Sequence, residues 1–137
     1  MQGQQPQNGI LPVQHLQQAI QDGAISADQQ ITGAQLQPAS LDLRLGTNAW
    51  RVQASFLPGS KMTVVDKLAK FAMHKIDLTN GAVLERGCVY IVKLQESLAL
   101  PSGLSAIANP KSSTGRLDIF TRLICDYATE FESVTAG

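Results

Sequence analysis

The chain predicts a mainly β fold, a barrel or sandwich with short helical insertions. Three observations carry that expectation. From Ile76 onward, short apolar runs are punctuated by glycine and proline, the pattern of short strands joined by turns. Leu41, Leu43 and Leu45 alternate with Asp42 and Arg44, a period that suits a half-buried strand. The 137 residues, 44% of them hydrophobic and 16% charged, are enough for one domain with a real core.

Glutamine crowds the N-terminal part of the chain. Residues 1–9 are expected to be a flexible glutamine-rich N-terminus, ahead of a domain over residues 10–137. Leu11 to Asp22 has the spacing of a helix: Pro12 suits its first position, and Val13, Leu16, Ala19 and Ile20 share one face. Gly23 stops it. The strand at Leu41–Leu45 is expected to end at Gly46. A second is expected over Trp50 to Phe56, with Val52, Ala54 and Phe56 on one side.

Leu57-Pro58-Gly59 breaks that pattern. Thr63 to Met73 reads as a short helix with Val64, Val65, Leu68 and Phe71 or Ala72 inward. Strands are then expected near Ile76–Leu78, Cys88–Leu94, Ser97–Leu100, Leu104–Ala108 and Leu117–Ile124. Turns fall at Asn80-Gly81 and Pro101-Ser102-Gly103. Asp126 to Gly137 shows no closing strand, and an open apolar edge is costly. Either another copy completes the sheet or the chain is a piece of something longer.

Composition excludes several function classes. Lys and Arg total 11 against 11 Asp and Glu, so there is no basic field for nucleic acid. An anion bound here is expected to be small and held locally. No apolar run approaches the ~18 residues that read as a membrane span. MQGQQPQNG lacks the basic and apolar segments of a secretory signal. Cys88 and Cys125 are far apart, each in an apolar run, and read as reduced core thiols. The cytoplasm is the expected compartment.

No metal site is expected from the residues. His15 falls on the polar side of the first helix and His74 at the end of the second. Neither has a His or Cys at ligand spacing, and CxxC is absent. The zinc-deaminase signature, the phosphate-loop and dinucleotide glycine patterns and the GxSxG elbow are absent as well.

The densest chemistry lies in NPKSSTGRLDIF, residues 109–120. Lys111 and Arg116 supply cations, and Ser112, Ser113 and Thr114 supply hydroxyl donors. Gly115 permits a tight backbone. A helical turn after Pro110 brings residues 112, 113 and 116 to one side and leaves free N–H groups at its start. Such a set suits phosphate groups, with the arginine binding as a fork. The plainer alternative is a solvated loop with a capping serine. Asp42 and Arg44, two apart on one strand face, read either as a surface pair of little energetic weight or as a buried pair that orders a site.

Together the two stretches resemble the dCTP deaminase family. Gln37-Pro38-Ala39-Ser40-Leu41-Asp42-Leu43-Arg44-Leu45-Gly46 is similar to its early strand. Lys111-Ser112-Ser113-Thr114-Gly115-Arg116-Leu117 is similar to its phosphate-binding turn, which usually reads Arg-Ser-Ser-x-x-Arg-Leu. The first helix with its Gly-Ala-Ile-Ser exit resembles how those enzymes begin, and the likeness spans roughly residues 10 to 125.

The resemblance implies a distorted dUTPase-like β barrel of the β-clip type, acting as a homotrimer. It implies zinc-independent deamination of dCTP to dUTP and ammonia, with Mg2+ accompanying the triphosphate. Ser112 matches the serine that helps hold the attacking water, and Arg116 the arginine beside it. Lys111 and Ser113 match phosphate-contacting positions, as do Ser112 and Arg116. Asp42 and Arg44 match a pair read as structural support. No nucleic-acid or membrane partner is implied.

Two departures bear on activity. Lys111 stands where the family usually has arginine, keeping the charge but losing the planar fork. The family's catalytic glutamate lies on a strand beyond the hairpin that follows the turn, and neither Glu130 nor Glu132 matches it. The expectation is an N-terminal portion of a dCTP deaminase-like protein, with little or no activity alone. Two other functions share these features: a hydrolase releasing pyrophosphate from dUTP, and a non-catalytic nucleotide-binding or assembly module.

Overall fold

The computed structural model describes residues 8–137. Most of the stretch expected to be flexible, residues 1–7, lies outside them. The described chain falls into two units: one runs to Arg44 and takes in Leu94–Ala99, and the other holds Leu45–Lys93 and Leu100–Gly137.

The first unit opens with α1, Val13–Gln21. Pro12 is its N-cap, and the predicted face of Val13, Leu16, Ala19 and Ile20 is half-buried while His15 is exposed. Gly23, with φ +78, lets the chain leave the helix in the left-handed region that glycine enters freely. β1 (Ile25–Ala27) then pairs antiparallel with β5 (Glu96–Leu98), setting the buried Ile25 opposite Leu98. A single turn of 3-10 helix at Gly33–Gln35 lies between β1 and Asp42.

Leu41 to Leu45 does not form the expected strand. Only Leu41 makes a bridge, to Leu36, and Leu43 and Leu45 are 43% and 59% exposed. The reason is a carboxylate distant in sequence: the Arg44 N–H that a ladder would use donates to Glu96 at 2.8 Å. The strand begins where that diversion ends. β2 runs from Leu45 to Val52 and passes through Gly46 rather than stopping there.

In the second unit, β2 is the middle of a three-stranded sheet, between β3 (Ala72–Asp77) and β4 (Val89–Leu94). Its antiparallel register with β3 places Ala49 opposite Ile76 and Trp50 opposite Lys75, then shifts between Arg51 and Val52. Ala49 and Val52 are buried there. The shift also ends the strand: Gln53 to Ser55 are exposed and unpaired in the sheet, so the expected run to Phe56 stops at Val52.

α2, Val64–Phe71, starts at a capping box. The Thr63 hydroxyl accepts the Asp66 N–H at 3.1 Å and the Thr63 N–H donates to the Asp66 carboxylate at 3.2 Å. Replacing Thr63 with alanine should lower stability by about 1 kcal/mol in urea unfolding; an unchanged midpoint would show that the box contributes nothing. Leu68 is buried as predicted, but Val65 and Phe71 are 69% and 53% exposed. The helix is shorter than expected because Ala72 and Met73 open β3, which also carries the exposed His74.

Beyond β5, β6 (Ala106–Ile107) pairs with β7 (Ser133–Val134). The end of the chain therefore does supply a short strand, where the sequence showed none. Leu117 to Ile124, in contrast, is not a strand. Leu123 exchanges its N–H and C=O with Glu132, whose carboxylate accepts the N–H at 3.1 Å and whose own N–H donates at 3.0 Å. The segment after it is clasped to the start of α2, with Asp126 accepting the Val64 N–H at 2.7 Å and the Tyr127 N–H donating to Met62 at 2.9 Å. The fold is mainly β, as expected, and its sheets of two, three and two strands remain open among the described residues.

Candidate functional site

Residues 111–118 form the predicted helical turn, α3, over Ser112–Arg116. Lys111 is its N-cap in extended conformation, and its carbonyl accepts the Thr114 and Gly115 N–H groups at 3.0 and 3.2 Å. The turn closes in a Schellman arrangement: Ile119 N–H donates to Thr114 at 3.3 Å and Asp118 N–H to Gly115 at 3.0 Å. Thr114 is the half-buried member. Lys111, Ser112, Ser113 and Arg116 are exposed.

The exposed groups suit an anion. The hydroxyls of Ser112 and Ser113 and the guanidinium of Arg116 make no hydrogen bond or ion pair with other described residues. Their donors are therefore available to a ligand without breaking anything in the fold. Gly115 is not required sterically: its φ is not positive, and an added Cβ would meet nothing within 4 Å.

Asp42 and Arg44 belong to the first unit and the turn to the second. Arg44 forms its ion pair with Glu96, Nε to Oε1 at 2.8 Å, and donates to the carbonyls of Gln29 and Gln30 at 2.8 and 3.3 Å. Asp42 accepts from Gln37 through its carboxylate, and from the Gln35 amide through its carbonyl at 3.0 Å. The Glu96 side chain is 1% exposed. Burial alone would raise its pKa, but the Arg44 N–H and guanidinium and the Gln35 amide outweigh that and hold it below the ordinary glutamate range.

Glu96 is the residue that sequence reasoning missed. It lies 52 positions from Arg44, and no local pattern marks a carboxylate at that distance. The two glutamates that follow the turn in sequence are placed otherwise. Glu130 is exposed, and the Glu132 carboxylate is held by Leu123. Cys88 and Cys125 are free, half-buried thiols. The Arg51 guanidinium donates to Cys88 Sγ at 3.1 Å, and burial, with Asp126 beside it, pushes the Cys125 thiol up.

A family model for the N-terminal domain of 2'-deoxycytidine 5'-triphosphate deaminase matches residues 7–137. Among solved structures, 2'-deoxycytidine 5'-triphosphate deaminase from Agrobacterium tumefaciens is similar with a TM-score of 0.90 at 55% sequence identity. The match covers 94% of this chain and 37% of that one, so the chain spans little more than a third of the length of that deaminase. Comparison with curated proteins gives no match.

Proposed function

Because the chain belongs to the dCTP deaminase family, matched over residues 7–137, we propose that its Lys111–Arg116 turn binds the triphosphate of dCTP for hydrolytic deamination to dUTP and ammonia. The supporting observation is that the Ser112 and Ser113 hydroxyls and the Arg116 guanidinium are exposed and that no other described residue occupies them. Arg116 offers a planar fork to two phosphate oxygens, and Lys111 a point charge at the N-terminal side. Ser112 and Ser113 add neutral donors.

In the reaction, water adds to the ring carbon bearing the amino group, and ammonia leaves. Ser112 is proposed to help orient that water, with Arg116 beside it. The proton-transferring glutamate is not assigned to this chain, since neither Glu130 nor Glu132 suits the role. We extend the proposal to a homotrimer working in the cytoplasm. No described helix is long and apolar enough to cross a membrane.

Among the described residues, no group of three or more His, Cys, Asp or Glu is placed to hold a metal ion. The turn's cations and hydroxyls fit phosphate oxygens, and magnesium is proposed to accompany the triphosphate, whose charge it screens. Calorimetry tests the site. Arg116→Ala should weaken dCTP binding at least about tenfold, and unchanged affinity would refute the phosphate assignment.

A further inference from the structure

Asp118 breaks two local rules at once. It occupies the position after the helix cap with φ 60, a conformation that glycine adopts without steric cost and that other residues adopt less readily, aspartate and asparagine with the smallest penalty. It also places a carboxylate beside the carbonyl end of α3, where a cation is the favourable choice. The Asp118 side chain is exposed and makes no hydrogen bond or ion pair with other described residues. Among the described residues only the backbone bonds that close the turn offset these costs.

Among the described residues, the other two non-glycine residues with positive φ differ in this respect. Tyr127, φ 59, is fixed by its N–H to Met62, and Glu132, φ 69, by backbone and carboxylate bonds to Leu123. Only local Schellman bonds hold Asp118. Uncompensated departures of this kind are expected where a residue serves a ligand rather than the fold.

We propose that Asp118 contacts the substrate, accepting a hydrogen bond from a hydroxyl or amino group of the nucleoside while the turn holds the phosphates. This rests on the phosphate-binding reading of the turn. A carboxylate two residues past Arg116 repels phosphate, so its natural partner is a hydrogen-bond donor on the remainder of the nucleotide. Asp118 thereby makes the site prefer a nucleotide over a bare polyphosphate.

The test compares dCTP with inorganic triphosphate, both with magnesium, by calorimetry on the intact chain and on Asp118→Gly and Asp118→Asn. Glycine suits the backbone, so Asp118→Gly should melt no lower than the parent. It should bind inorganic triphosphate at least as tightly while losing about tenfold in dCTP affinity relative to it. Asp118→Asn, which keeps an acceptor and tolerates the same φ, should fall between. Dideoxy-CTP and dUTP separate the donors: the analogue lacking the recognised group should bind equally to parent and Asp118→Gly.

An unchanged ratio of dCTP to triphosphate affinity in Asp118→Gly, with triphosphate still bound, would overturn the role of Asp118 alone. That result would also be the outcome if Asp118 served a basic group on another protein. A parent chain that binds neither ligand would overturn the phosphate reading of the turn and this role with it.

Discussion

Given dCTP and magnesium, this chain by itself should release ammonia at least about a hundredfold more slowly than a whole deaminase of the family. Attack of water on the ring needs a group that takes a proton from the water and another transfer to the ring and leaving nitrogen. General acid–base catalysis of that kind is typically worth ~10²–10⁴-fold. Among the described residues Lys111 to Arg116 supply cations and hydroxyls, which hold and polarise, and the Asp118 carboxylate is proposed for a donor on the nucleoside rather than for the water. Glu130 is exposed and Glu132 is committed to Leu123. Ammonia release at a rate comparable to that of a whole deaminase would show that a base is present in these residues after all.

The second large effect concerns stability. Arg44→Ala should destabilise the chain by about 3 kcal/mol at neutral pH, the lower end for breaking a buried ion pair. The guanidinium is 26% exposed, but its partner Glu96 is only 1% exposed, so the cost lies in leaving that carboxylate buried with fewer donors. Gln35 Nε2, at 2.9 Å from Glu96, remains. The effect should depend on pH with a definite sign. Because the folded Glu96 pKa is lowered, its contribution is complete above the ordinary glutamate range and disappears as pH falls through the folded value. The gap between parent and Arg44→Ala in denaturant unfolding should therefore narrow toward acid pH. A gap that stays constant or widens would mean that the pair is not the source of the stability.

What the sequence shows and what it hides divide along a physical line. α1 and α3 were legible because helices close their hydrogen bonds within a few residues. The Pro12 and Gly23 boundaries and the 112, 113, 116 spacing are all local. Thr63 and Asp66 form a capping box three positions apart, local again, although the inward face of α2 was read too broadly. The two failed strands share a cause. At Arg44 and at Leu123, a carboxylate from elsewhere takes the backbone N–H that a ladder would have used. Alternating leucines at 41, 43 and 45 carry no trace of Glu96, just as the apolar run at 117–124 carries none of Glu132.

The site divides in the same way. The phosphate-binding candidates lie within six consecutive residues, Lys111 to Arg116, and their chemistry is visible from residue type alone. Arg44 was singled out, but its partner depends on how β5 meets the first unit's loops. Asp118 lies within residues 109–120, yet only its backbone conformation marks it.

Amide NMR during titration with inorganic triphosphate tests the central claim most directly, since it reports position as well as affinity. Saturable shifts concentrated on Lys111 to Asp118, and lost in Arg116→Ala, are the predicted result. Saturable shifts confined to residues outside the turn, or no shifts at millimolar triphosphate, would contradict it.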